Sequence, residues 1–193
     1  DPGTNPQSTP IDTSLAFSTA NGNAITLGDV DAGTGTMWFK ITATNGTVSL
    51  SQITGLTTFW RGTGTNDIVV SFDGTLDAIN AALNGMTFTP NPGFSGAASL
   101  VCRSGDYGNT GPGGMLYGVD QTINIAVNQV PVAPVAGDFL ASLNEDAVGT
   151  VSGWNFTDGN GNAAQSITIT QLPNQGTLFR DANGNDVIDI GET

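Results

Sequence analysis

The feature that most restricts this chain is the rhythm of its apolar residues. Short runs in which hydrophobic and polar side chains alternate are separated by Gly, Asn and Pro at intervals of roughly 8–12 residues. A period of two turns one side of a segment to a core and the other to solvent, the pattern of a half-buried strand and not of a helix. Such runs stand at residues 37–44, 67–72, 86–89, 97–103 and 121–127. One segment departs from the rule. In residues 75–83, Leu76, Ile79, Ala82 and Leu83 recur at helical spacing behind Thr75, whose hydroxyl can cap a helix N-terminus, so one short helix crossing between sheets is expected there. Between the runs 37–44 and 47–50, Asn45-Gly46 offers two residues that tolerate positive φ and predicts a tight two-residue hairpin. The pattern as a whole reads as an all-β sandwich.

Composition bounds what such a fold can do. With 38% hydrophobic and 7% aromatic residues, two modest cores suit the 193 residues better than one large one. Mean hydropathy near zero and the β-branched runs argue for folded structure despite 27 Gly. Charge is scarce and one-sided: 17 acidic residues against 4 basic, no His, a net charge of −13. Neutralising a phosphate backbone needs Lys and Arg, so nucleic acid is not an expected partner, and anionic membrane surfaces are disfavoured for the same reason. No 18-residue apolar stretch and no signal peptide stand in the sequence, so membrane insertion is not expected and the chain reads as a soluble segment of something longer. Cys102, within Leu100-Val101-Cys102, has no partner for an internal disulfide and reads as a small buried hydrophobe, not a reactive thiol. Asp73, Asp77 and Asp106 are the carboxylates a glycosidase would draw on, but nothing in the sequence fixes a pair of them and there is no nucleophile–base dyad. The expectation is a protein without catalytic activity.

The two prolines of residues 129–135, Pro131 and Pro134, interrupt pairing and mark a linker. This divides the chain into a sandwich over 1–128 and a second domain over 136–193. Ile11-Asp12 resembles Glu145-Asp146, Asp29-Val30-Asp31 resembles Asp158-Gly159-Asn160, and the stretch around Gly46 resembles that around Gly176. These pairs give a weak internal repeat with a period of about 130 residues. On that period Thr193 falls about halfway through the second copy, leaving strand edges and an apolar face open. Either the natural chain continues, or strands from an identical neighbour complete the half-domain by β-augmentation, as in a filament subunit.

The carboxylates gather in Asp-, Asn- and Gly-rich loops, and oxygen ligands at alternate positions are what Ca²⁺ requires. In the twelve residues from Asp181 to Glu192, Asp181, Asn183, Asn185, the Val187 carbonyl, Asp189 and Glu192 occupy positions 1, 3, 5, 7, 9 and 12 of a calcium loop of EF-hand spacing. Its Gly184 sits at position 4 instead of 6, and a strand-like run at 177–180 precedes it, so the loop fits calcium while the EF-hand fold does not. Weaker candidates are Asp29 and Asp31, Asp158 and Asn160, with Glu145 or Asp12 approaching from the domain base, and Asp106 at the end of a strand. The plain alternative for each is an Asx turn in which the side chain caps its own backbone.

Several of these stretches together resemble a known family. Residues 15–25, Asp29-Val30-Asp31-Ala32-Gly33, Thr44-Asn45-Gly46-Thr47-Val48, Phe72-Asp73-Gly74-Thr75-Leu76, Phe88-Thr89-Pro90, Phe94-Ser95-Gly96 and Asp106-Tyr107-Gly108-Asn109 look like the cadherin-like repeats of very large bacterial surface and adhesin proteins. The likeness covers nearly all of 10–128 and, less specifically, 135–193. It implies Ig-like or cadherin-like β-sandwich repeats at the cell surface, with one short helix in the first domain and Ca²⁺ at domain edges. On this likeness Asp29 and Asp31 match the family's Asp-x-Asp, and Glu145 matches the acidic residue near a repeat's start. The implied role is a calcium-stiffened spacer or adhesion element whose partners are neighbouring repeats or identical chains.

A carbohydrate-binding module is the main rival, since Trp38, Trp60, Tyr107 and Tyr117 can stack on sugar rings of surface glycans. Trp38 reads more simply as a core residue of its strand, and Trp60, beside Arg61 amid Gly and Thr, reads as a surface residue. The adhesive and sugar-binding readings separate on whether several aromatics share one exposed face.

Overall fold

The computed structural model describes residues 5–30, 32–108, 114–137, 156–161 and 163. Two compact units divide the chain, Asp1–Val130 and Pro131–Thr193. Among the described residues the first unit holds nine strands and one helix: β1 (Gln7–Pro10), β2 (Leu15–Phe17), β3 (Thr36–Thr44), β4 (Gly46–Ser49), β5 (Leu56–Arg61), β6 (Val69–Thr75), α1 (Leu76–Leu83), β7 (Met86–Pro90), β8 (Gly96–Gly105) and β9 (Gln121–Asn128). A six-stranded sheet runs in the order β1-β9-β8-β3-β6-β5, and a three-stranded sheet in the order β2-β7-β4. All pairings in the two sheets are antiparallel except β1 with β9. In the second unit β10 (Val135–Ala136) pairs antiparallel with β11 (Phe156–Thr157).

Alternation explains the larger sheet. Along β3, Met37, Phe39, Ile41 and Ala43 are buried while Trp38, Lys40 and Thr42 take the other face; β8 and β9 repeat the pattern with Ala98, Leu100 and Cys102, and with Ile123, Ile125 and Val127. These side chains share one core with Phe17, Val48, Met86 and Phe88 of the smaller sheet and with Ile79 and Leu83 of the helix. The helix forms where the spacing predicts it: Thr75 Oγ1 accepts the Ala78 N–H at 3.3 Å, Asp77 sits in the first turn, and Ile79, Ala82 and Leu83 point inward.

The hairpin expected at Asn45-Gly46 does not form. Strands β3 and β4 lie in different sheets, and the chain turns between them at Asn45, whose φ is 56° and whose Nδ2 donates to the Ala97 carbonyl at 2.9 Å. Packing decides the matter. Gly46 lies opposite Pro90, and a Cβ there would come within 2.5 Å of both the Phe88 ring and the Thr89 carbonyl, so this glycine is required for close approach and not for turn geometry. Strands β1, β2 and β5 form where no alternating run predicts them.

Gly46→Ala is expected to destabilise the fold by about 2–3 kcal/mol through overpacking. Gly28→Ala, where an added Cβ meets nothing within 4 Å, should shift the denaturation midpoint little. Equal effects in chemical denaturation would contradict this reading of Gly46.

Candidate functional site

The outer face of the six-stranded sheet carries a cluster of aromatic side chains around one buried carboxylate. In the β3–β6 register Trp38 lies opposite Asp73, and in the β3–β8 register it lies opposite Gly105. Trp38 therefore faces away from the core, contrary to the expectation that it fills its strand's interior, while its neighbours Met37 and Phe39 are the ones buried. Asp73 is only 6% exposed. A carboxylate so placed needs donors, and two reach its Oδ1: the Trp60 indole N–H at 3.0 Å and the Tyr107 hydroxyl at 2.9 Å. Among the described residues no group donates to Oδ2, and since no buried side-chain oxygen among them lacks a partner, it keeps some contact with solvent.

Trp38 is placed by the regular alternation of β3, whereas Trp60 and Tyr107 are brought there by local irregularities. Phe59 pairs with Phe72 and Arg61 with Ser71, so β5 advances two residues while β6 advances one. Such a bulge re-aims side chains, and it leaves both Trp60 and Arg61 on the outer face. The turn before β6 is tied by Asp67, whose Oδ2 accepts from the backbone N–H groups of Thr63, Gly64 and Thr65 at 2.8, 2.7 and 3.1 Å.

Tyr107 has a φ of 38°, an unfavourable value for a residue with a side chain, and it is held there by its neighbour. Asp106 Oδ1 accepts the Leu116 N–H at 2.8 Å and the Gly108 N–H at 3.0 Å. Tyr117 completes the cluster: it bridges to Gly105, where a Cβ would lie 3.0 Å from its ring, and it meets Trp38 edge-on with centroids 5.7 Å apart. Arg103 lies 5.1 Å above the Tyr117 ring and 3.6 Å from Asp120. Trp60, Tyr117 and Tyr107 remain 58%, 52% and 38% exposed.

The electrostatics keep the hydrogen-bonding roles fixed. Burial first, and the Asp73 carboxylate second, push the Tyr107 hydroxyl above its ordinary pKa, so it remains a donor at neutral pH. The Leu116 N–H, followed by that of Gly108, holds the Asp106 carboxyl below its ordinary range. Burial pushes the Cys102 thiol up to about 12, which makes it a poor nucleophile.

Of the residues expected to bind calcium, Asp31, Glu145, Asp181, Asn183, Asn185, Val187, Asp189 and Glu192 lie outside the described residues. Asp29 is partly buried ahead of β3. Asp158 Oδ1 accepts the Asn160 N–H at 2.7 Å, and Asn160 Oδ1 accepts the Val132 N–H at 2.7 Å, both within the second unit. Asp12 Oδ1 accepts the Gly93 N–H at 2.7 Å. Among the described residues no three His, Cys, Asp or Glu side chains come together in a way that could hold a metal ion. No described helix is long and apolar enough to cross a membrane.

The turn at Asp106 should be sensitive to acid. Its folded-state pKa lies below the unfolded one, so its stabilising hydrogen bonds are fully present above the unfolded value, near pH 4, and are lost as pH falls through the folded value. Tryptophan fluorescence is expected to stay level from pH 7 to about 5 and to change below about 4, with that component absent in Asp106→Ala. A component near pH 6 removed by the same substitution would contradict the assignment. Compared with protein-family models, with curated proteins and with solved structures, the chain finds no match in any of the three.

Proposed function

We propose that this chain is a non-catalytic, cadherin-like β-sandwich module of an extracellular surface protein, and that it adheres by holding carbohydrate on the outer face of its six-stranded sheet. The observation that carries the reading is the convergence of Trp38, Trp60, Tyr107 and Tyr117 on one face around Asp73. Sugar rings present C–H faces that pack on aromatic surfaces, and hydroxyls that donate to a fixed carboxylate oxygen such as Oδ2 of Asp73. An exposed apolar patch with a polar centre is a common mark of a recognition surface. The single core shared by both sheets supports the sandwich architecture.

The test is retardation of the protein in gels containing soluble polysaccharides, compared with Trp60→Ala and Tyr117→Ala. At least a tenfold loss of affinity is expected in each variant, with an unchanged circular dichroism spectrum. Variants that bind as the parent does, or a parent that binds no polysaccharide, would sink the proposal.

The acidic excess favours a second element of the reading, calcium at the module's loops. A net charge of −13 makes the compact state repel itself, and each Ca²⁺ bound only when folded offsets two charges. Thermal unfolding should then move up by several degrees in millimolar calcium relative to chelator, and an unchanged midpoint would rule calcium out of this proposal.

A further inference from the structure

We infer that the carbohydrate this face selects is an acidic one, a linear polysaccharide bearing uronate carboxylates. The inference rests on the sugar-binding reading and refines it. The chain holds only four basic residues, and three of them, Lys40, Arg61 and Arg103, belong to the outer face of the six-stranded sheet.

They fall on one line. Arg61 of β5 pairs with Ser71 of β6, Ser71 pairs with Lys40 of β3, and Lys40 pairs with Arg103 of β8, so a row of cations crosses four adjacent strands at a single level. The aromatic row runs beside it: Trp60 bonds to Asp73, Asp73 pairs with Trp38, and Trp38 pairs with Gly105, the residue that Tyr117 covers. The rows are two residues, or about 6.7 Å, apart along β6, β3 and β8 and close to adjacent residues at the bulge of β5, and each spans about 14 Å across three interstrand gaps. A sugar chain lying across the strands would thus set its rings on the aromatic row and its carboxylates toward the cations.

Two features of the cationic row are not explained by folding. Lys40 and Arg103 are directly opposite one another, an arrangement of like charges that costs stability in a sheet. Arg61 reaches the face only because β5 is bulged. In a chain with 17 acidic residues, three of the four cations gather in one row of this face, beside the Asp73 carboxylate and with Asp120 against Arg103, so the row is a local concentration of positive charge on an otherwise acidic molecule. Arg103 has Asp120 at 3.6 Å, but both side chains are about half exposed, so that pair is weak and yields to a ligand carboxylate.

The test is a titration of the full chain, with chelator present to exclude calcium bridging, using a galacturonate hexamer and its fully methyl-esterified counterpart. The acidic form is expected to bind at least tenfold more tightly, to lose that advantage at high salt, and to lose it in the Lys40→Gln/Arg61→Gln double variant, while the esterified form binds that variant as it binds the parent. Equal binding of the two forms overturns the inference and leaves the sugar-binding reading standing. Failure of both forms, together with failure of neutral polysaccharides, overturns both.

Discussion

Strand β6 is buried on both of its faces, and the rest of the first unit is arranged around that fact. Its inward side chains, Val70 and Phe72, sit in the shared core, which is ordinary for a strand flanked on both sides. Its outward residues, Ser71 and Asp73, are equally hidden, which is not. A carboxylate in that position must be given donors, because an unpaired buried polar group costs about 1–3 kcal/mol and a charged one more. The donors come from an edge strand bent by a bulge and from a loop residue held in the left-handed region. The site is the means by which the fold accommodates Asp73, and the same requirement leaves large aromatic surfaces at the protein's exterior.

Four of the described acidic residues share a manner of use. Asp12, Asp67, Asp106 and Asp158 each accept backbone N–H groups at a turn, so carboxylates supply the loop order that a chain with few aromatics and no disulfide must find elsewhere. This use is compatible with calcium, because a carboxylate has two oxygens and several lone pairs. The consequence for the cations is sharper. In a chain of 17 acidic residues, a row of three of its four basic side chains on one face stands out as a local concentration of positive charge.

Local signals in the sequence gave access to the elements and not to the site. Thr75 ahead of Leu76, Ile79 and Leu83 announces α1, and alternation announces β7, β8 and β9, because in each case the deciding interaction lies within a few residues. Asn45-Gly46 misleads because the same dipeptide serves a hairpin turn or a corner between sheets, and the choice is made by Phe88 packing against Gly46. The outward direction of Trp38 was legible in principle: it shares parity with Lys40 and Thr42, opposite to Met37, Phe39 and Ile41. The hydrogen bonds that build the cluster were not, since Trp60 and Tyr107 reach Asp73 across 13 and 34 residues and through a bulge and a positive φ that no periodicity encodes.

On the proposed function, the cluster around Asp73 is a ligand surface and not merely a cover for a buried carboxylate. The chain has three tryptophans, so their indole N–H signals can be followed individually by NMR while a galacturonate oligosaccharide is added. The Trp60 and Trp38 signals are expected to move along saturable curves with a common dissociation constant. Trp60 and Trp38 signals that do not move would contradict a ligand surface at this cluster.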